Sequence, residues 1–102
     1  MPTYIALLNF TEQGAGKIKD TRKRADSFRA LAKKAGASVV EAYWTLGHYD
    51  GVLILNAPDD QTVARLLFQL ASLGNVRTQT LRALNAAEME PMIVGPGKPT
   101  SR

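Results

Sequence analysis

Val39-Val-Glu-Ala-Tyr-Trp-Thr-Leu-Gly-His-Tyr-Asp-Gly-Val-Leu-Ile-Leu-Asn-Ala57 decides the fold. It reads as two strands joined by the short connection Leu46-Gly47-His48. In the first arm Val39, Glu41, Tyr43 and Thr45 alternate with Val40, Ala42, Trp44 and Leu46. The second set is the more apolar, so this arm is a half-buried strand. The return arm, Tyr49–Asn56, contains Gly51-Val-Leu-Ile-Leu and is apolar on both faces. A strand of that kind belongs in the middle of a sheet. The stretch also holds the single Trp and the single His of the chain.

Upstream, Thr3–Phe10 (TYIALLNF) is a second apolar run with Asn9 as its polar residue, and it reads as another central strand. Thr11-Glu-Gln-Gly-Ala-Gly16 breaks it. Thr11 suits the cap of a short turn, and the two glycines permit close approach of another backbone or a ligand. The segment has neither the Gly-Lys-Ser/Thr ending nor the GxGxxG spacing of a phosphate loop. Over Ile18–Ala35, the residues Ile18, Ala25, Phe28, Leu31, Ala32 and Ala35 recur on one helical face. Thr21 suits the cap of a second helical segment, and Gly36 suits its C-terminal stop.

Downstream, Pro58 ends the return strand and Asp59 or Asp60 caps a helix whose face is Val63, Leu66, Leu67, Leu70, Ala71 and Leu73. Gly74 stops it. Val76–Leu84 is a polar strand suited to a sheet edge, and Ala86–Met92 is a short terminal helix. Residues 1–93 are thus expected to form one domain, with residues 94–102 a flexible C-terminal tail.

The order β-α-β-β-α-β is the ferredoxin-like split arrangement, an α+β fold with a four-stranded antiparallel sheet and both helices on one face. Strands one and three would be central, and these are the two that are apolar on both sides. Two helices cover only one face, so the other face is expected to be covered by a second subunit.

Composition narrows the classes. Of the 102 residues, 45% are hydrophobic and 22% charged, which is ordinary globular composition. There is no cysteine, so disulfides, thiolate metal sites and cysteine nucleophiles are excluded. No secretory signal pattern and no membrane-length apolar run is present, which points to the cytoplasm. The net charge of +4 is concentrated, since residues 1–36 carry eight Lys/Arg against three Asp/Glu. That bias fits either an anion-attracting patch or the solvated face of a helix with Asp20–Arg24 and Asp26–Arg29 pairs. Aromatic residues are not interleaved with the basic ones as single-strand nucleic-acid binders need, and nucleic acid is not the expected partner.

Several residues are candidates for chemistry. Asp50, beside an apolar run, suits either a general base or a turn-closing carboxylate. His48 and Tyr49 adjoin it. A lone His with no Cys and no His-x-x-His spacing makes a weak metal site and reads better as a surface turn residue, and no metal or cofactor is expected. Trp44 and Tyr43 face opposite sides of their strand, which suits either one lining a pocket and the other a subunit contact, or ordinary core and interface packing. Arg24 and Arg77 are candidates for an anionic ligand group, or for ion pairs with Asp50, Glu41 or Asp20.

Gly47-His48-Tyr49-Asp50 matches the Gly-x-Tyr-Asp signature of small bacterial GYD-domain proteins, and the chain resembles that family. The resemblance extends to Phe10-Thr11-Glu12-Gln13-Gly14, Ile18-Lys19-Asp20, Arg24, Tyr43–Leu46, Ala57–Asp60 and Ser72–Thr78, running from about residue 3 to residue 90. Arg22 departs from it, where a proline would start the helix. The resemblance implies the dimeric α/β barrel group of ferredoxin-like proteins, in which two open sheet faces come together. It brings no activity with it, because the family name records a motif.

Three functions follow in order of preference. The first is a homo-oligomeric, non-catalytic small-molecule-binding or assembly protein. The second is a small cofactor-poor enzyme, monooxygenase- or isomerase-like, with His48, Tyr49, Asp50 and Trp44 at the mouth of a pocket between helices and sheet. The third is an anion- or nucleotide-responsive regulator that uses Lys17–Lys34 and Arg77.

Overall fold

A computed structural model describes residues 1–94. Strands β1 (Thr3–Phe10), β2 (Ser38–Trp44), β3 (Gly51–Asn56) and β4 (Val76–Ala83) make one sheet in the order β2-β3-β1-β4. Every pairing is antiparallel. The two strands apolar on both faces are central and the two more polar ones are edges. Helices α2 (Thr21–Lys34) and α3 (Asp60–Ser72) pack on one face. This is the ferredoxin-like arrangement.

The core lies between that face and the helices. Tyr4, Ala6 and Leu8 of β1 and Leu53 and Leu55 of β3 pack against Phe28, Ala32, Val63, Leu66 and Leu67. Leu55 and Leu66 are the large side chains most completely enclosed. Burial of each contributes roughly 1.5–3 kcal/mol relative to leaving it in water.

Three local features differ from the sequence reading. The helix expected over Ile18–Ala35 opens, after a short helix α1 (Glu12–Gly16), with a 3-10 turn at Ile18–Asp20; the second segment expected at Thr21 is α2, with Asp20 rather than Thr21 in the cap position and no side-chain cap bond. Ile18 accordingly lies off the buried stripe, 46% exposed. Next, a β-bulge between Val39 and Glu41 inserts one residue into β2. Val39 pairs with Leu55 and Ala42 with Leu53, so Val39 joins the Ala42–Trp44 face rather than the Glu41–Tyr43 face. Finally, β2 stops at Trp44, and Leu46 is fully exposed instead of extending the apolar face.

Helix ends follow their capping residues. Thr11 caps α1, its hydroxyl accepting from the Gly14 amide at 3.1 Å. Asp59 caps α3 by accepting from the Thr62 amide at 2.8 Å. Gly36 and Gly74 take φ of +84° after α2 and α3, in the left-handed region that glycine enters without strain. A fourth helix, α4 (Ala86–Val94), starts with a reciprocal cap between Asn85 and Glu88 and buries no residue. The tail expected from residue 94 onward falls, beyond Val94, outside the described residues.

The far face of the sheet carries no helix of the βαββαβ unit. Register places Ile5 and Leu7 of β1 and Val52 and Ile54 of β3 at its centre, with Tyr43 and Leu81 on the flanking strands. Polar groups at its ends are tied to one another or to backbone. The Thr3 hydroxyl donates to Asn56 Oδ1 at 3.0 Å, and the Asn9 amide donates to the His48 carbonyl at 2.7 Å. An apolar centre inside a polar rim is the anatomy of a protein–protein interface.

Candidate functional site

The Gly47–Asp50 loop is a hydrogen-bonded staple across the end of the sheet. Gly47 has φ of +102°, which a side chain would strain. The Asp50 amide donates to the Leu8 carbonyl at 2.8 Å, and its carboxylate accepts from the Phe10 amide at 2.8 Å. The Asp50 carbonyl accepts from the Thr45 amide, and the Thr45 hydroxyl donates to the Tyr49 carbonyl. The Tyr49 hydroxyl donates to Gln79 Oε1 at 2.9 Å, reaching past β1 to β4. Asp50 thus occupies a backbone donor of β1 where the β1–β3 ladder ends at Leu8 and Gly51. His48 is exposed in the loop and offers its carbonyl to Asn9.

A cavity of about 520 Å³ lies on the opposite side of the sheet, under α2. It exists because small residues meet there. Gly51 and Ala42 form part of its floor on β3 and β2, and Ala25 forms part of its roof on α2. Leu8, Phe10, Phe28, Leu53 and Trp44 make the apolar walls. The Trp44 indole N–H donates to the Thr21 hydroxyl at 2.9 Å, tying the end of β2 to the start of α2. Lys17, Lys23 and Arg24 lie at the rim against one acid, Asp20.

The structure therefore brings Trp44 and Arg24 to the cavity and leaves His48, Tyr49, Asp50 and Arg77 outside its walls. Arg77 pairs with Asn9 in the β4–β1 register and is exposed on the open face. The ion pairs expected for Asp20–Arg24 and Asp26–Arg29 give way to backbone contacts. Arg24 donates to the Lys17 carbonyl at 2.8 Å and the Gly14 carbonyl at 3.3 Å, closing the C-terminal end of α1. Arg29 donates to the Val39 carbonyl at 2.8 Å, beside the bulge. The Gly14 and Lys17 carbonyls also accept from the Lys17 and Asp20 amides, so the Arg24 guanidinium takes a second lone pair on each. Among the described residues, the salt bridge is Arg82 with Glu88 at 3.7 Å.

A second group was not found from sequence. The Tyr4 hydroxyl donates to Asp60, and Arg82 stacks over the Tyr4 ring at 5.6 Å. The hydrogen bond to Asp60 is the main cause that raises the Tyr4 phenol above its ordinary value of 10.0. No sequence pattern links positions 4, 60 and 82; only the register that sets Tyr4 opposite Arg82 does so. Among the described residues, no three His, Asp or Glu side chains gather as a metal site would need. No helix there is long and apolar enough to cross a membrane.

Comparison with known proteins places these features. The model of the GYD domain matches residues 4–93. The glutamine synthetase and cystathionine beta-lyase binding protein of Thermus thermophilus is 39% identical over 90 residues, 87% of this chain and 95% of that one. The crystal structure of TTHA0845, also from Thermus thermophilus, superposes with a TM-score of 0.55 at 25% identity, covering 84% of this chain and 96% of that one. A feast or famine regulatory protein from M. tuberculosis, solved with L-methionine, has a TM-score of 0.64 at 17% identity. That match covers 84% of this chain and 52% of the regulator, so the chain spans about half the regulator's length and shares its fold.

Proposed function

The chain belongs to the GYD domain family, and from that premise we propose that it is a homo-oligomeric, non-catalytic assembly protein that binds metabolic enzymes. The open sheet face carries this reading. Its centre is Ile5, Leu7, Val52 and Ile54, four apolar side chains on the two central strands. A sheet of four strands up to eight residues long has a projected footprint on the order of 500 Å² from ordinary strand spacings. Side-chain relief brings that toward the ~800 Å² per partner of a standard interface.

A second copy is the occupant that fits best. The face carries Glu41 near one edge and Arg77 near the other, so its charge is balanced and two copies meet without net repulsion. The basic bias of residues 1–36 lies elsewhere, on α2 and the turn before it. The partner enzymes are suggested by the relative at 39% identity, whose name describes binding to glutamine synthetase and cystathionine beta-lyase. The small-enzyme reading loses support because Asp50, His48 and Tyr49 do not share a cavity with Trp44.

Sedimentation velocity tests the proposal. The wild-type chain is expected to sediment as a dimer or larger at micromolar concentration, and to co-sediment with purified glutamine synthetase. Ile54→Lys, a charge at the centre of the open face, is expected to give a folded monomer. A wild-type monomer would overturn the assembly reading. An oligomer that ignores the enzyme would leave self-association standing and remove the enzyme partner.

A further inference from the structure

We propose that the cavity under α2 is a binding site for a small anionic amphipath, a carboxylate carried on an apolar body. The volume of about 520 Å³ lies within the ~300–1,000 Å³ of small-molecule sites. Two observations give the ligand its chemistry. The walls supply apolar surface, with Phe10, Phe28 and Trp44 as aromatic faces. The rim supplies positive charge, with Lys17, Lys23 and Arg24 against Asp20. Lys17 and Lys23 are both exposed, so their ammonium groups can turn toward a carboxylate at the mouth. Arg24 uses donors on its two terminal nitrogens for carbonyls and, of the five that a guanidinium carries, has others left.

The arrangement orients the ligand. Its apolar end enters between Ala25 of α2 and Ala42 and Gly51 of the sheet, and its carboxylate remains at the Lys17–Lys23 rim. The site is separate from the open sheet face, so binding there does not require the assembly proposed above.

Trp44 is the single tryptophan and forms part of the wall, so the protein carries its own reporter. Titration of the full chain with decanoate is expected to change Trp44 emission saturably. Decanol and decylamine test the charge, and each is expected to bind about tenfold or more weakly, in line with the strength of charge-assisted contacts. The double substitution Lys17→Gln/Lys23→Gln is expected to weaken decanoate by a similar factor and leave decanol unchanged. Ala42→Phe fills the cavity from the sheet, and Ala25→Leu fills it from the helix should the first variant not fold. Either filler is expected to abolish the saturable change. Ile54→Lys is expected to retain it, whatever its sedimentation. Absence of saturation overturns the proposal. So does equal affinity for decanoate, decanol and decylamine, or binding that a folded cavity-filling variant leaves intact.

Discussion

Gly14 and Gly16 stand two residues apart and have opposite surroundings. A Cβ on Gly14 would sit 1.9 Å from the Asn75 carbonyl oxygen, a backbone atom, whereas a Cβ on Gly16 meets nothing within 4 Å. Gly14→Ala must therefore push α1 away from the start of β4, and a loss of about 3 kcal/mol, the top of the overpacking range, is expected in urea unfolding. Gly16→Ala is expected to be neutral or to gain about 0.4–1 kcal/mol, because it restricts the unfolded chain without native strain. The sequence shows two glycines in a break; only the fold shows which one touches Asn75. Asp50 makes a similar case. Asp50→Ala leaves the Phe10 amide without its acceptor and is expected to destabilise by about 1–3 kcal/mol. Asp50→Asn keeps an acceptor oxygen and should lose less than half as much in the same unfolding curves. The turn-closing possibility was legible at Asp50, since Asp between glycines favours it. Its partner, 40 residues away, was not.

At the scale of elements, periodicity located both long helices and β2, and unbroken apolar runs located β1 and β3. It failed where a local backbone irregularity intervenes. The bulge at Val39/Glu41 moves Val39 to the other face, and a two-residue period contains no mark of an inserted residue. The Asp20-Thr21 pair signals a second segment, but periodicity does not show that Ile18–Asp20 is a 3-10 turn, closed by the Asp20 amide on the Lys17 carbonyl before α2 begins. Helix α3 supplies a pH test. Hydrogen bonds from Thr62, first its hydroxyl and then its amide, hold the Asp59 carboxyl below its ordinary value of 3.8. The charged cap is therefore favoured in the folded state. Its contribution is complete above pH 3.8 and is lost as the pH falls through the lower folded value. Asp59→Ala is expected to melt at a lower temperature than the parent at pH 7. The gap between the two should narrow below pH 4 in thermal scans.

For the whole molecule, topology was the most legible level. Two apolar-on-both-sides strands and two polar ones leave few other ways to order a sheet with short right-handed connections. The cavity was less legible, since it arises from Ala25, Ala42 and Gly51 meeting in space rather than from a motif. If the open face pairs copies, folded chains gain stability from association. The melting temperature should then rise with protein concentration for the parent and stay constant for Ile54→Lys, as differential scanning calorimetry at several concentrations will show. The sheet order has a further consequence, for the making of the protein. Strand β1 lies between β3 and β4, with Thr3 opposite both Asn56 and Ala83. As the chain is made, β1 must therefore wait for β4, the last of these four strands in sequence, with one edge unsatisfied until then. Contacts so distant along the chain slow folding, so the growing chain is most open to mispairing over the interval between the emergence of β3 and that of β4.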